Sequence, residues 1–541
     1  MSRTLSTKAT LWCLCAASAV LLSLPWLVPH LGLVSLVAFI PLLLAEYIAQ
    51  GAGVKRFWVW HYSTFVLWNA LTTFWVCNAT VGGGIFAVLA NALQMSLIFG
   101  LFRLSRKRLG GVVPYVFLAA AWIAWERWYL TSAEISWPWL VLGNAFATSI
   151  KDIQWYSVTG TLGGSLWVWC ANLGIFGLLT ALSNGAWQRW NRVARAASVS
   201  ALALVLLGPV VCSAIMYGSY EEKSERKVEV VIGQPNFEPY KKFESMSQAQ
   251  QTDVLLRLLA DSLNTAPADL LLAPETFTFD VILNDIPSSP TWQAFHSFLQ
   301  EYPQSDMLFG AATNELHFTA SPPGLLCYPY GKGWRVPHNS AIMLSPDGRT
   351  EVFHKSKLVV GTELTPYPKV FVPLDNWLAG KFNNGRPMMA RDCGQKEITL
   401  LHLSDGTPLG CAVCYESVYG EYCTGYASKG AGFIAVITND SWWGNTPGYR
   451  QHLSYSSLRA IELRRDIARC GNTGISCFID QRGRILKQGP WWEEATLRGS
   501  VNVNTRQSFF TRNGDITGRV STFIFLLLLV LLVVRLLLPK K

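Results

Sequence analysis

The sequence predicts two joined parts, an α-helical transmembrane bundle of about eight spans and an outward-facing α/β domain. Three observations carry this. Half of the 541 residues are hydrophobic and only 15% are charged, too apolar for a wholly soluble protein. The apolar residues gather in long uncharged runs over 9–217 and again in "STFIFLLLLVLLVVRLLL" near the C-terminus, each long enough for a bilayer core. Residues 218–518 instead have mixed composition, with short β-branched runs alternating with helix-period segments.

The spans are expected near 9–29, 31–49, 57–77, 82–102, 111–130, 163–183, 196–217 and 520–538. The chain thus divides into a seven-helix membrane part (1–217), a globular domain (218–518) and a last span with its tail (519–541). Lysine and arginine mark the cytoplasmic loops. They cluster at Arg3 and Lys8, at Lys55 and Arg56, at Arg103, Arg106, Lys107 and Arg108, at Arg189, Arg192 and Arg195, and at Lys540 and Lys541. The first two alternate loops, "VPHLG" and "NATVGG", carry none. Both termini are therefore expected inside and the globular domain outside, in the periplasm of a host with two membranes. The first span lacks a small-residue cleavage site before a soluble stretch and is expected to be retained rather than removed as a signal peptide. The net charge of +10 is explained largely by these loops and gives no reason to expect a nucleic-acid partner.

Within the domain, "KVEVVIGQ", "DLLLAPE", "DMLFGAAT", "NSAIMLSPDG", "PLGCAVCYE", "GFIAVITND" and "TGISCFIDQRG" are expected as strands, several apolar on both faces as in a covered sheet. Helix periodicity marks 247–264, 289–302 and 452–470. On the last of these, Arg459, Glu462, Asp466 and Arg469 have the three- and four-residue spacing of a salt-bridged face.

Of twelve cysteines, five fall in the spans, where a thiol is a small buried hydrophobe, and seven in the outward domain. An odd number in an oxidising compartment leaves at least one unpaired. Cys411 and Cys414 admit a structural, a catalytic, a disulfide or a metal reading. The metal reading is the weakest, since they sit on an expected strand without a second pair at ligand spacing. Three strand ends carry chemistry: Glu275 in "LLLAPETF", Lys355 in "VFHKSKLVVGTELTPY" with Glu363 eight residues on, and Cys414 in "AVCYES" with Tyr415 and Glu416 following. Strand ends of an open α/β sheet converge on one crevice, so these residues can meet as base, charge stabiliser and nucleophile.

The order Glu, Lys, Cys, each at a strand end, resembles the nitrilase superfamily. Together with eight spans and an outward domain it is similar to the apolipoprotein N-acyltransferases. The resemblance runs through "AWERWYLTSAEISWPWLVLGNA" in the membrane part and "APET", "HKSKLV", "CYES", "NDSWWGNTPGYRQHL" and "LRAIELRRDIARCGNTGIS" in the domain. "VGTE" stands where that family usually has Pro-Phe-Gly-Glu, and Phe243 is the nearest match to a tryptophan of the family after the first strand.

The resemblance implies an α-β-β-α sandwich and a two-step acyl transfer. Cys414 attacks a phospholipid ester, with phosphatidylethanolamine the expected donor, and Glu275 takes the thiol proton. Lys355 and the Tyr415 amide hold the oxyanion, while Glu363 and Glu416 keep Lys355 charged and aimed. The acceptor is the α-amine of a diacylglyceryl cysteine on an apolipoprotein, and no metal or nucleotide cofactor is needed. The site would lie on the bacterial inner membrane. Phe243, Glu126, Trp139, Trp442 and Trp443 are the candidate substrate contacts, with "NDSWWGNTPGYR" as a lid. The aromatics near 128–139 and 155–156 suit either a lipid portal or an ordinary interfacial belt. His452 is expected to position the loop before the following helix. A membrane-tethered hydrolase using the same residues is the alternative reading; a transporter is disfavoured because the spans hold almost no central charges, and a non-catalytic lipid-binding protein because Glu275, Lys355 and Cys414 are all present.

Overall fold

The computed structural model describes residues 2–239 and 246–538, so Phe243 lies outside the described residues. A helix stands at each of the eight expected apolar stretches. They are α1 (Ser2–Leu27), α2 (Ile40–Gly51, preceded by a 3-10 turn at Gly32–Leu36), α3 (Trp58–Thr73), α4 (Val81–Arg106), α5 (Val113–Thr131), α6 (Thr161–Ser183), α7 (Arg192–Ser219) and, at the C-terminal end, α13 (Ile516–Leu537). Six of them are long and apolar enough to cross a bilayer. The others fall short of the expected eight: α3 has only 16 residues, and α5 is rich in tryptophan and carries Glu126 beside Arg127. The C-terminal helix returns to pack along α5, with Phe117 and Phe525 at 5.6 Å between ring centroids. Both α7 and α13 leave most of their apolar surface uncovered by protein, as helices facing lipid do.

The globular part has two sheets. The first runs β14 (Ala495–Val503), β1 (Arg226–Gln234), β2 (Leu270–Leu272), β4 (Asp306–His317), β6 (Gly333–Leu344), β5 (Tyr328–Tyr330), with β3 (Thr278–Ile282) on β4 and β7 (Thr350–His354) on β6. The second runs β13 (Ile485–Gln488), β12 (Cys477–Ile479), β11 (Ile467–Gly471), β10 (Phe433–Thr438), β9 (Pro408–Val413), β8 (Leu401–His402). Strand alternation assigns the faces. From β1, Val228, Val230 and Ile232 enter a core shared with Val413, Ile434 and Val436 of the second sheet. The intervening Val231 faces Leu255 and Leu259 of α8 (Gln248–Leu263) and Phe295 of α9 (Pro290–Glu301). On the far side of the second sheet lie α11 (Gly420–Ser428) and α12 (Pro447–Leu463), which completes the expected α-β-β-α sandwich. A further helix, α10 (Pro368–Phe382), follows the Lys355 loop.

One expected helix is corrected. The segment 452–470 is helical only to Leu463, where Arg464 takes a left-handed φ of +52°, and Ile467–Gly471 then forms β11 parallel to β10. Of the expected salt-bridged face only one pair forms along the helix. Arg459 pairs with Glu462 at 2.8 Å inside the protein. Beyond the helix, Asp466 accepts from Asn502, and Arg469 pairs with Asp440 at 2.6 Å.

Helix α12 is buried on nearly every side because it lies between the second sheet and the membrane bundle. Ala460 and Leu463 face the sheet, while Tyr455, Leu458 and Ile461 join the core of the bundle. Gln451 donates to the carbonyls of Trp26 (3.1 Å) and Thr72 (3.2 Å) and accepts from Trp139 Nε1 (2.7 Å). Glu462 accepts from the Thr161 amide at 2.9 Å. The first turn of α12 needs a glycine here: a Cβ on Gly448 would sit 2.6 Å from the Trp75 ring. Gly448→Val should therefore cost about 1–3 kcal/mol of stability. Thermal unfolding in detergent checks this, with Gly380→Ala as the control. A Cβ at Gly380 meets nothing within 4 Å, and the control should hold or raise the midpoint.

Candidate active site

Glu275, Lys355 and Cys414 follow β2, β7 and β9, on edges of the two sheets that face each other. The structure brings them together. The Lys355 Nζ, 1% exposed, donates to Glu275 Oε1 at 2.9 Å and to Glu363 Oε1 at 2.8 Å. Asn339 Nδ2 lies 2.8 Å from the same two oxygens. The second oxygen of Glu275 accepts the Asn439 amide at 3.1 Å, from the end of β10. Close approach of backbone makes this packing possible, since a Cβ on Gly310 of β4 would lie 2.6 Å from Glu275 Cα.

The loop after Lys355 closes without proline. The amides of Glu363 and Leu364 both donate to Val359 O (2.9 and 3.0 Å), Gly361 turns at a φ of +86°, and the Val359 amide donates to Glu363 Oε2 at 2.7 Å. "VGTE" thus presents its glutamate to Lys355. Glu416 works differently. Its carboxylate, fully buried, accepts from the amides of Ser356 (2.7 Å) and Val413 (2.8 Å) and from Tyr422 OH (2.8 Å). It therefore ties the backbone beside Lys355 to the backbone beside Cys414, and it acts on the ammonium through its charge rather than through a hydrogen bond.

Burial opposes the charge on Lys355, but Glu275 and Glu363 outweigh it and hold the ammonium well above its ordinary range. Burial, followed by the Glu275 charge, pushes the Cys414 thiol well up, with Lys355 opposing. At rest Cys414 is therefore a thiol, and a nearby base must take its proton before it can attack. Cys414 itself closes β9 with a left-handed φ of +51°.

Behind it lies a cluster that sequence spacing did not reveal. His452, inside α12 rather than before it, reaches Asp440 Oδ1 through Nδ1 at 2.9 Å, and Asp440 Oδ2 accepts from Arg469 at 2.6 Å. Burial alone would raise the Asp440 carboxyl, yet His452 and Arg469 hold it below the usual value. Donor atoms of Cys414, Asp440 and His452 lie within 4.8 Å of one another, a spacing that metal ligands also have. Both Asp440 oxygens, however, are engaged by His452, Thr438 and the Arg469 cation, which suits an ion-pair network better than a metal centre. All twelve cysteines are free thiols, and Cys411 is a buried strand neighbour of Cys414.

Residues 184–509, more than half the chain, match the model of the carbon-nitrogen hydrolase family. The chain belongs to that family. Residues 18–174 match the model of the apolipoprotein N-acyltransferase N-terminal domain. The apolipoprotein N-acyltransferase of Chlorobaculum tepidum is 27% identical over 504 residues, covering 92% of this chain and 91% of its own. That of Geobacter metallireducens is 26% identical over 528 residues, with the same two shares of 92% and 91%. With its apolar helices, this carbon-nitrogen hydrolase is a membrane protein.

The outlying candidates are placed differently from one another. Glu126 is fully buried and accepts from Trp122 Nε1 (3.1 Å) and the Leu142 amide (2.8 Å), facing protein rather than a head group. Trp139 is fully buried against Trp75, Trp443 and Tyr455. Trp443 lies tilted against Trp75 (4.6 Å between ring centroids), and its carbonyl accepts from Asn78, so the 440–443 turn is tied to the bundle. Trp442 is 37% exposed. Trp137 lies parallel to the Tyr415 ring at 5.8 Å, which puts the aromatic loop of the bundle over the residue next to Cys414.

Asp392, whose amide donates to Glu363 O, was not foreseen. Burial and the Glu363 charge, against Lys355, push its carboxyl up to about 7. A raised carboxyl binds its proton more tightly in the folded state. Its contribution to stability is thus complete below the unfolded value near 3.9 and is lost as pH rises through about 7. Asp392→Asn should flatten the decline in unfolding midpoint between pH 4 and pH 7, measured by thermal unfolding across that range.

Proposed function

We propose that the protein transfers a fatty acyl group from a phospholipid, through a thioester on Cys414, to the α-amine of the S-diacylglyceryl cysteine of an apolipoprotein. The observation that carries this is the buried Lys355 ammonium held between Glu275 and Glu363 beside a thiol, in a chain whose helical half matches the N-acyltransferase N-terminal domain. In this reading residues 1–217 and 519–541 form the membrane part and 218–518 the catalytic domain. That domain faces the periplasm, with both termini in the cytoplasm.

Glu275 Oε2, with one amide contact, keeps a lone pair for the thiol proton. As the sulfur attacks the ester carbon, the carbonyl opens to an oxyanion that the Lys355 ammonium and the Tyr415 amide stabilise. A fixed donor of this kind is worth about 3 kcal/mol. When the tetrahedral centre collapses, the C–O bond to glycerol breaks, and Glu275 returns the proton to the leaving oxygen. In the second half the acceptor amine attacks the thioester, Glu275 takes a proton from nitrogen, the C–S bond breaks and the sulfur is reprotonated. The ester's own energy is kept in the thioester, so the residues need no cofactor. Phosphatidylethanolamine is the proposed donor. The aromatic side chains of Trp137, Trp442 and Trp443 are the proposed contacts for its acyl chains. Trp139 and Glu126 act beneath them, by holding the loop that carries Trp137.

The test is the fate of an acyl-labelled phosphatidylethanolamine given to the purified protein with a diacylglyceryl-cysteine peptide. Label should appear as N-acyl peptide, and Cys414→Ala, Glu275→Gln and Lys355→Met should each lower the rate at least about 100-fold. Label released only as free fatty acid would instead make the protein a hydrolase.

A further inference from the structure

The Cys414 carbonyl is clamped from two sides. Ser417 Oγ donates to it at 2.7 Å, and His452 Nε2 lies 3.1 Å from it and 3.0 Å from Ser417 Oγ. Neither a carbonyl nor a carboxylate has a hydrogen to give, so both ring nitrogens donate, Nε2 to the Cys414 carbonyl and Nδ1 to Asp440, and the ring is in its doubly protonated form. The ring is held in place, because Nδ1 is fixed on Asp440, itself held by Thr438 (2.6 Å) and Arg469 (2.6 Å), and it packs beside Trp139, tilted at 5.7 Å between centroids, and Trp443, edge-on at 5.5 Å.

A peptide unit is planar and trans, so the carbonyl of Cys414 and the amide of Tyr415 point in opposite directions from one rigid plate. Fixing the carbonyl fixes the amide. Tyr415 is the second residue of a 3-10 turn (Cys414–Val418), and the first amides of such a turn have no acceptor within it. The clamp also restrains Cys414 in a left-handed conformation that residues with a side chain rarely adopt.

We propose that His452, together with Ser417, is a positioning residue that aims the Tyr415 amide at the oxyanion by holding the Cys414 carbonyl. This rests on the acyl-transfer reading above. His452 touches no reacting atom. Its effect is on a donor that matters only when negative charge develops, so it should change kcat rather than substrate binding.

The experiment uses the full-length protein in detergent, with His452→Ala, His452→Gln and Ser417→Ala. The donor is phosphatidylethanolamine carrying a ¹³C acyl carbonyl. Three quantities are read: kcat and KM for peptide N-acylation, and the infrared stretch of the labelled thioester carbonyl on Cys414. In His452→Ala, kcat should fall about 10- to 100-fold with KM within about twofold, and the carbonyl band should move to higher frequency as its hydrogen bond is lost. Ser417→Ala should move both the same way by less, and serves if His452→Ala fails to fold. His452→Gln, whose amide can still donate, should recover most of both. A band and a kcat unchanged from wild type in His452→Ala or Ser417→Ala overturn the clamp alone. Absence of any thioester on the wild-type protein overturns the acyl-transfer reading and the clamp with it.

Discussion

The site depends on one buried cation. Removing an ammonium from water is tolerable only where opposite charge and hydrogen bonds replace its hydration. Lys355 has both, from Glu275 on one side and Glu363 on the other. Each glutamate is in turn held by backbone amides, Glu275 by Asn439 and Glu363 by Val359, and Asn339 bridges the two. The ion triad thus connects the ends of β2, β7 and β10. Taking away Lys355 would leave two carboxylates facing each other without their cation, at a cost of about 3–5 kcal/mol. The same ammonium is the charge that favours a thiolate on Cys414.

A second constraint joins the site to the membrane. Helix α12 supplies His452 behind Cys414, and the same helix buries Gln451, Tyr455 and Glu462 against the bundle through hydrogen bonds to Trp26, Thr72, Trp139 and Thr161. Trp443, from the turn that precedes α12, stands between Trp75 of the bundle and His452. The domain is therefore not tethered by a linker alone. The geometry around Cys414 and the packing of the bundle share one helix, which suits the proposed transfer from a phospholipid.

Much of this was legible in the sequence where the signal is periodic or local. Apolar runs gave the helical stretches, β-branched runs gave seven strands, and the strand-end positions of Glu275 and Cys414 followed from those strands, that of Lys355 from the short run "VFHK". The failures have physical causes. In "LRRDIARC" the charges recur at helical spacing, but Arg464 ends the helix, and Asp466 and Arg469 find partners at Asn502 and Asp440, far away in sequence. Strands of two to five residues such as β3, β5, β8 and β13 are too short to show a period. Asn339, Asp392 and the Asp440–His452–Arg469 cluster reach the site only through packing of distant segments. Glu416, two residues from the nucleophile, acts on Lys355 through its charge, while its carboxylate accepts from the amides of Ser356 and Val413.

The central claim is that Cys414 carries the acyl group between donor and acceptor. Intact mass of the protein after incubation with phosphatidylethanolamine, beside Cys414→Ser, tests it most directly. The account requires an added acyl mass on the wild-type protein that neutral hydroxylamine removes and a diacylglyceryl-cysteine peptide discharges, whereas any adduct on the serine variant must resist hydroxylamine as an oxygen ester. An N-acylated peptide formed at the wild-type rate by the serine variant, or with no hydroxylamine-sensitive adduct on the wild type during turnover, would contradict it.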